Sequence, residues 1–590
     1  MLISFILVLT TEETMSKIKT SLTHKGPLFP KKYEYKGIYK VNGVTLNPML
    51  EKLVWHWAAL GEDYKKDIMY SINARPTIKR WANPELKNLE FPKDYLSVME
   101  KMTADREAEK EAKKLANTKE AREAKKAENE KIKAEYGFGE IDGQQQQLGG
   151  YVLEPEGWYI GRGQSPIRGL WKYEIEPEDV TINYISKDMS KAPQPPAGHK
   201  WKAVVSNKNA FVATYYDIRL GENVVTLHKK FGFGALSTVK QDADIHKYEK
   251  AQNLTREWSK IEKWIDDGVA AGKQEAIISW LILRTGIRVG TGHAEVFENG
   301  TVGASTLLVE NATVNGTNLK LKFSGKDSVP YVNEFEVPQE IADAIKKCQA
   351  GKKPKDKLFD KASSGTVNAF LSECIPYCTA KLFRTAYGTK LLAETLQQYW
   401  TDGKIAKGMP EWKIRSLYDN ACLVVSTKLN HQRNVAKNFS AQMDKTDENI
   451  KKAKEASKKR REKATEQLKK IAKDIKTAKQ VYTGEMLEEK LASLKAKKDK
   501  IQAQVEKSEG RIEKLEANKD LKKATKNIAL GTAKGAYSSP LIAASMCKDL
   551  DVSPDIIYNK TMQNKFSWAF APGVVKTSYW KNYPNENPKL

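Results

Sequence analysis

From about Asp444 to Asp520 apolar residues recur at helical spacing within a charged background. Ala464, Leu468, Ile471, Ile475 and Ala478 step by four and three, as do Leu487, Leu491 and Leu494, and the series continues through Ile501, Val505, Ile512 and Leu515. Such a stripe is the seam by which one helix packs along another. Tyr482-Thr483-Gly484 interrupts it near the middle, so the segment predicts two antiparallel helices of a coiled-coil hairpin. Its KKRRE run, Lys458–Glu462, reads first as a solvated helix face, with a dedicated import signal or a DNA clamp as the alternatives. A second charged stretch, about 105–135, is dense in Ala, Glu and Lys and predicts one exposed helix joining two folded pieces. Before it, WHWAALG and WANPEL supply aromatic anchors for a small domain; after it, Gly139–Gly150 reads as a Gln/Gly-rich loop. Short apolar runs from Tyr151 to about Lys240 predict strands and turns. Residues of about 245–433 mix helices with a β element. LKLKF alternates so that Leu319, Leu321 and Phe323 share a face, Asn315-Gly316 signals a hairpin turn, and a second turn at Ser324–Asp327 leads into strand-like YVNEFEV. Lys326 then sits at a hairpin tip.

At 590 residues the chain exceeds what one core supports, so several domains are expected. Lys and Arg outnumber Asp and Glu by 99 to 74, a formal charge of +25, which favours a polyanionic partner: nucleic acid first, anionic membrane second. MLISFILVLT is too short to span a bilayer and lacks the basic start of a secretory signal. Residues 1–15 are expected to be a non-native start or disordered, with Met15 the true beginning. The five cysteines show no paired metal spacing and suit a reducing compartment, cytosol or nucleus.

No GxxxxGK[ST] loop occurs, and the seven histidines show no HExxH or clustered ligand spacing. Chemistry on phosphate would then draw its electrophilic stabilisation from guanidinium groups, whose planar fork matches non-bridging oxygens. Four stretches offer cations in apolar settings: AIISWLILRTGIR with Arg284, FSGKDSVPY with Lys326, TAKLFRTAYGTKLL with Arg384, and ACLVVSTKLNHQR with His431. Singly, each is weak: Arg284 reads equally as a helix-terminal charge, Lys326 as a solvated turn lysine and His431 as a capping group. Tyr537, in GTAKGAYSSPLI, would by itself be a surface aromatic in a loop.

Their joint order is far more specific. LxLRxG, GKDS, TAKxFRT and NHQR, then a charged hairpin, then a tyrosine segment opening ALGTxK, resemble the eukaryotic-type DNA topoisomerases IB. HKGPLF, EYGF, GRG, PPAGHKWK, YNKT and KFSWA carry the resemblance over most of the chain. It implies a multidomain α+β fold: a two-lobed DNA clamp, a mainly helical catalytic domain related to tyrosine recombinases, and an antiparallel coiled-coil linker. The expected limits are 16–243 for the clamp lobes, 244–433 for the catalytic core, 434–520 for the linker and 521–590 for the C-terminal domain. It implies ATP-independent relaxation of supercoiled DNA by transient single-strand cleavage. Tyr537 would be the nucleophile that forms a 3′-phosphotyrosyl link; Arg284, Arg384 and His431 would hold the non-bridging oxygens; Lys326 would protonate the leaving 5′-oxygen. Arg162, Asp327 and Gln432 would contact DNA. No metal or other cofactor is implied; the partner is double-stranded DNA, clamped by a monomer, without ATP or membrane. The implied location is the nucleus, or alternatively a viral particle or replication compartment.

Two departures stand out. Where most members carry GNE after LxLRxG, this chain has Gly286-Ile287-Arg288, and Asn-Tyr-Leu-Asp-Pro is replaced by Ala536-Tyr537-Ser538-Ser539-Pro540. Loss of that Asn implies reduced sensitivity to camptothecin-type poisons. Two other functions remain open on residues alone. A tyrosine recombinase would use the same residue types, although the long hairpin between His431 and Tyr537 fits it poorly; a non-catalytic DNA-binding scaffold would keep only the clamp.

Overall fold

A computed structural model describes residues 18–161, 165–222, 224–290, 302–325, 329–433, 435–436 and 438–589. Residues 1–15, Arg162, Lys326 and Asp327 lie outside the described residues. The chain divides into two units, one of residues 1–249, 268–278 and 289–367, the other of residues 250–267, 279–288 and 368–590.

The first unit is built on aromatic packing. Helix α1 (Pro48–Ala58) starts where the Asn47 side chain accepts from Leu50 N–H and proline occupies the first turn. It buries Leu50, Leu53, Val54, Trp55 and Trp57. Trp57 meets Trp158 edge to face at 5.6 Å, and Trp158 meets Trp171 at 5.1 Å. The WHW run thus supplies the anchors expected of it. The single helix expected over about 105–135 is instead two, α2 (Leu96–Leu115) and α3 (Lys119–Tyr136). Thr118 makes the break: it takes an extended conformation and its side chain accepts from Ala121 N–H. No residue of α3 is buried, so no packing holds one straight helix through the break.

The Gln/Gly-rich stretch is a hairpin, not a loop. Strands β1 (Leu22–His24), β2 (Phe138–Ile141) and β3 (Gln144–Gln147) form a three-stranded sheet. Asp142 and Gly143 turn between β2 and β3 with φ of 49° and 82°, the left-handed pair that a two-residue hairpin needs. Asp142-Gly143 was the overlooked sequence signal. A six-stranded sheet, including β4 (Phe211–Leu220) paired antiparallel with β5 (Val224–Gly232), accounts for the strands expected after Tyr151. The third sheet holds β6 (Ala312–Asn315), β7 (Asn318–Gly325) and β8 (Val329–Glu336). Leu319, Leu321 and Phe323 are all buried, as the alternation predicted. The turn is shifted by one residue from the Asn-Gly reading: Asn315 pairs with Asn318, leaving Gly316, at φ 61°, and Thr317 as the loop.

The second unit is helical. Its long pair, α4 (Phe439–Val481) and α5 (Glu485–Ala524), turns at Tyr482-Thr483-Gly484, with Gly484 at φ 59°. The buried residues of α4 are Met443, Ile450, Ser457, Ala464, Ile471 and Ala478, each seven after the last. Ile471 and Ala478 pack with Leu494 of α5, while Ser457 and Ser508 share a hydrogen bond of 3.0 Å. Lys454–Glu516, Arg461–Glu509 and Lys519–Asp447 pair across the helices in antiparallel register. Among the described residues no helix is long and apolar enough to cross a membrane.

Candidate active site

Four chain segments of the second unit converge on the phenol of Tyr537. The first is the end of helix α6 (Gln274–Thr285), whose last turn carries Arg284. Gly286 follows at φ 65°, and its N–H donates to Ile282 C=O at 2.9 Å. A side chain there would run into the backbone of Lys428 and Leu429, so glycine is needed for close approach as well as for the turn.

The second segment is α7 (Ala380–Thr401), capped by Thr379, whose side chain accepts from Leu382 N–H. Arg384 lies in its first turns and is only 4 % exposed. Its Nε donates to Gly286 C=O, its Nη2 to Leu429 C=O and its Nη1 to Tyr537 Oη, all at 2.9 Å. Two of these acceptors are carbonyls at the ends of helices, where the backbone carries partial negative charge. The guanidinium plane is therefore fixed before any ligand arrives. Burial, together with Arg288, lowers the Arg384 pKa to about 10, so the group stays charged at neutral pH.

The third segment follows α8 (Glu411–Lys428). Asn430 adopts the left-handed conformation at φ 52°, its N–H bonds Thr427 C=O at 3.2 Å, and His431 N–H bonds Ser426 C=O at 2.8 Å. This is a Schellman termination with asparagine in the usual glycine position. The cap is thus formed by the backbone of Asn430, and the His431 ring is free of that duty. His431 lies against Tyr537, ring centroids 4.8 Å apart, and is 4 % exposed. Neither ring nitrogen has a hydrogen-bond partner among the described residues, so an N–H is available to an oxygen entering the site. Burial, then Arg384 and Arg288, drive its pKa down to about 3, and the imidazole is neutral at physiological pH.

The fourth segment carries Tyr537. Residues after His431 pair with it: Gln432, exposed, bridges Ile528; Arg433 N–H bonds Asn527 C=O and Ala529 N–H bonds His431 C=O, both at 2.8 Å. Ala533–Tyr537 forms a π-helical turn closed by Ser538 N–H on Ala533 C=O. Lys534 is drawn inward by Asp419 of α8 and by Ile557 C=O. On the other side Gly388 packs under Tyr537 C=O, and Thr389 Oγ1 bonds that carbonyl while accepting from Ser539 N–H. Ser539 then caps α9 (Pro540–Leu550). Tyr537 is 7 % exposed, not the surface aromatic its composition suggested.

The phenol oxygen accepts two guanidinium N–H groups, from Arg384 and from Arg288 Nη1, both at 2.9 Å. Burial works against its ionisation, but Arg384 and Arg288 outweigh burial and hold the phenol below its ordinary value. Of the residues expected at a site, Tyr537, Arg384 and His431 come together. Arg284 does not touch the phenol; it is exposed, its guanidinium 5.7 Å from the Trp280 ring centroid. Arg288 was missed as a site residue. The signal was present as a departure, a cation where the resemblance led one to expect an acid.

Comparison with known proteins places the chain in a family. Residues 18–227 match the model of the eukaryotic DNA topoisomerase I DNA binding fragment, 236–464 that of the catalytic core, and 509–578 that of the C-terminal topoisomerase domain. DNA topoisomerase 1 of Homo sapiens is 31 % identical over 569 residues, covering 93 % of this chain and 70 % of the human protein. DNA topoisomerase 1 alpha of Arabidopsis thaliana is 32 % identical over 583 residues, covering 93 % of this chain and 58 % of the plant protein. The chain belongs to the eukaryotic DNA topoisomerase I family.

Proposed function

We propose that this chain relaxes supercoiled duplex DNA as a type IB topoisomerase, without ATP. The observation that carries the reading is a buried tyrosine whose attacking oxygen is held by guanidinium groups beside a neutral histidine. Tyr537 attacks the scissile phosphorus and forms a 3′-phosphotyrosyl link, releasing the 5′-hydroxyl. A free tyrosine has a pKa near 10, so it ionises little at neutral pH without cationic help. As the phosphodiester gains charge, Arg384 and the N–H of His431 stabilise its non-bridging oxygens, joined by Arg284. Lys326 protonates the leaving oxygen. The covalent link retains the energy of the broken bond, so religation consumes no cofactor and the cut strand rotates between the two steps.

The domain assignment follows the same reading: clamp lobes over 16–243, catalytic core over 244–433, linker over 434–520 and C-terminal domain over 521–590. The catalytic domain is proposed to share its ancestry with tyrosine recombinases. The seven-residue spacing of buried positions in α4 supports a coiled-coil linker. Arg162, Asp327 and Gln432 are the proposed DNA contacts, the enzyme acts as a monomer, and the nucleus is its proposed location. Phosphate contacts from so basic a chain make binding strongly salt-dependent.

The test is relaxation of a negatively supercoiled plasmid lacking any designed site, in EDTA and without ATP. The expected result is a ladder of relaxed topoisomers, a covalent protein–DNA adduct after denaturation, and loss of both in Tyr537→Phe with DNA binding kept. Equal relaxation by Tyr537→Phe would remove the nucleophile, and strand exchange instead of relaxation would point to a recombinase.

A further inference from the structure

We propose that Arg288 is a catalytic residue, a second guanidinium that, with Arg384, holds the attacking oxygen of Tyr537 for in-line attack. The proposal rests on the reading of Tyr537 as nucleophile and goes beyond it by naming what activates the phenol in this chain.

The geometry is a two-point clamp on one atom. Arg288 Nη1 and Arg384 Nη1 each donate to Tyr537 Oη at 2.9 Å. A neutral phenol oxygen has two lone pairs, and here both are engaged. None is then left to attack phosphorus. Loss of the phenolic proton supplies a third pair, and the two guanidinium bonds, stronger to an anion than to a neutral oxygen, favour that form. The step balances as follows: the proton leaves to water, Oη bonds phosphorus, the P–O5′ bond breaks, and the 5′-oxygen takes up a proton. As charge moves to the phosphate oxygens, both guanidinium groups remain beside it.

The clamp is held from several sides. Arg384 is buried and fixed by the carbonyls of Gly286 and Leu429. Arg288 is exposed as a residue, but the segment that bears it is anchored. Gly286 turns the chain after α6, and Ile287, only 4 % exposed, is buried immediately before Arg288. Among the described residues, the other basic groups near the site are placed differently. Arg284 lies against Trp280, the His431 ring is neutral above about pH 3, and Lys534, three residues before Tyr537, is occupied by Asp419. Among the described residues, the groups facing the phenol are Arg384 from α7, Arg288 from the segment after α6 and His431 from the segment after α8. Of these, the two arginines donate to the phenol oxygen, whereas the imidazole is neutral at physiological pH. An acid at position 288, as in the GNE pattern, would act in the opposite sense and disfavour the phenolate. This chain reverses the charge beside its nucleophile.

The experiment is single-turnover cleavage of a suicide duplex, nicked so that the 5′-hydroxyl fragment dissociates, measured from pH 5 to 10. The wild type should show a rate that rises with pH and levels off below the ordinary tyrosine pKa. Arg288→Gln should move that limb upward by at least about one unit, which lowers the rate at pH 7 by about tenfold or more. Arg288→Lys should lie between the two, and Arg288→Glu should be slower than Arg288→Gln. Arg284→Gln should slow cleavage without moving the limb. Binding of uncleaved duplex by the same variants in a Tyr537→Phe background checks that they fold. An unchanged limb in Arg288→Gln, with binding retained, overturns the role of Arg288. Absence of any covalent adduct in the wild type, or its persistence in Tyr537→Phe, instead overturns the reading on which the proposal rests.

Discussion

Gly388→Ala perturbs Tyr537, the proposed nucleophile, without touching its chemistry. Gly388 lies one turn after Arg384 on α7, buried, with its face against the main chain of Tyr537. A Cβ at this position would lie 2.7 Å from Tyr537 O, 3.0 Å from Leu429 Cδ1 and 3.3 Å from Tyr537 Cβ. An unstrained carbon–oxygen contact is about 3.3 Å or longer, so the Tyr537 carbonyl must retreat by about 0.6 Å or the helix must give. The carbonyl has little room to yield, because it also accepts from Thr389 Oγ1, which in turn holds Ser539 N–H. Misplacement of a reacting group by about 1 Å costs about a hundredfold in rate, so the expected loss in single-turnover cleavage is about ten- to a hundredfold. For stability, overpacking costs about 1–3 kcal/mol while Gly→Ala in a helix returns about 1 kcal/mol, leaving a net loss of up to about 2 kcal/mol. The assay pairs suicide-duplex cleavage with urea denaturation and duplex binding. A cleavage rate and denaturation midpoint indistinguishable from the parent would show that the close approach of α7 to Tyr537 does not position the proposed nucleophile.

Asp419→Ala should destabilise the second unit by about 3–5 kcal/mol, because it strands the buried Lys534 ammonium, whereas Asp419→Asn keeps a hydrogen-bond acceptor and should cost less; denaturant melts of the two variants check the order. Acid should weaken the fold before the carboxylates titrate. Burial lowers His24 and His56 to about 4, and His431 to about 3, so each stays neutral when folded while the unfolded chain takes up protons below about pH 6.5. Stability is therefore full above pH ~6.5 and falls as pH drops towards 4, with a slope of at most about 1.4 kcal/mol per pH unit for each histidine; melting curves at stepped pH, flattened in His24→Gln, measure it. Finally, camptothecin should trap covalent complexes less efficiently than with a family member carrying Asn before its tyrosine, and Ala536→Asn should raise the trapping, as read by adduct yield on a plasmid.

Much of the site was legible because local motifs carry it. TAKLFRT places Arg384 on a helix whose cap, Thr379, is itself in the motif, and Asn430-His431 encodes a helix end together with the residue just beyond it. The seam of the long hairpin was legible for the same kind of reason, since a seven-residue repeat is a property of the chain alone. Misreadings arose where a short-range signal was passed over, as with Asp142-Gly143 turning a glutamine-rich stretch into a hairpin, or Thr118 dividing a charged helix.

The sequence by itself determined the helical hairpin, the β element around LKLKF, the basic charge and the residue types of the site. Only the tertiary structure decided which arginine meets the phenol. Arg284 and Arg288 are four residues apart, and both follow from the same stretch of sequence. Gly286 lies between them in a left-handed turn, so the first stays at the exposed end of its helix and the second is carried to Tyr537 Oη. Such a choice depends on where the backbones of Lys428, Leu429 and Tyr537 lie around that turn and on Gly388. Those contacts join residues more than a hundred positions apart, and no local pattern encodes them.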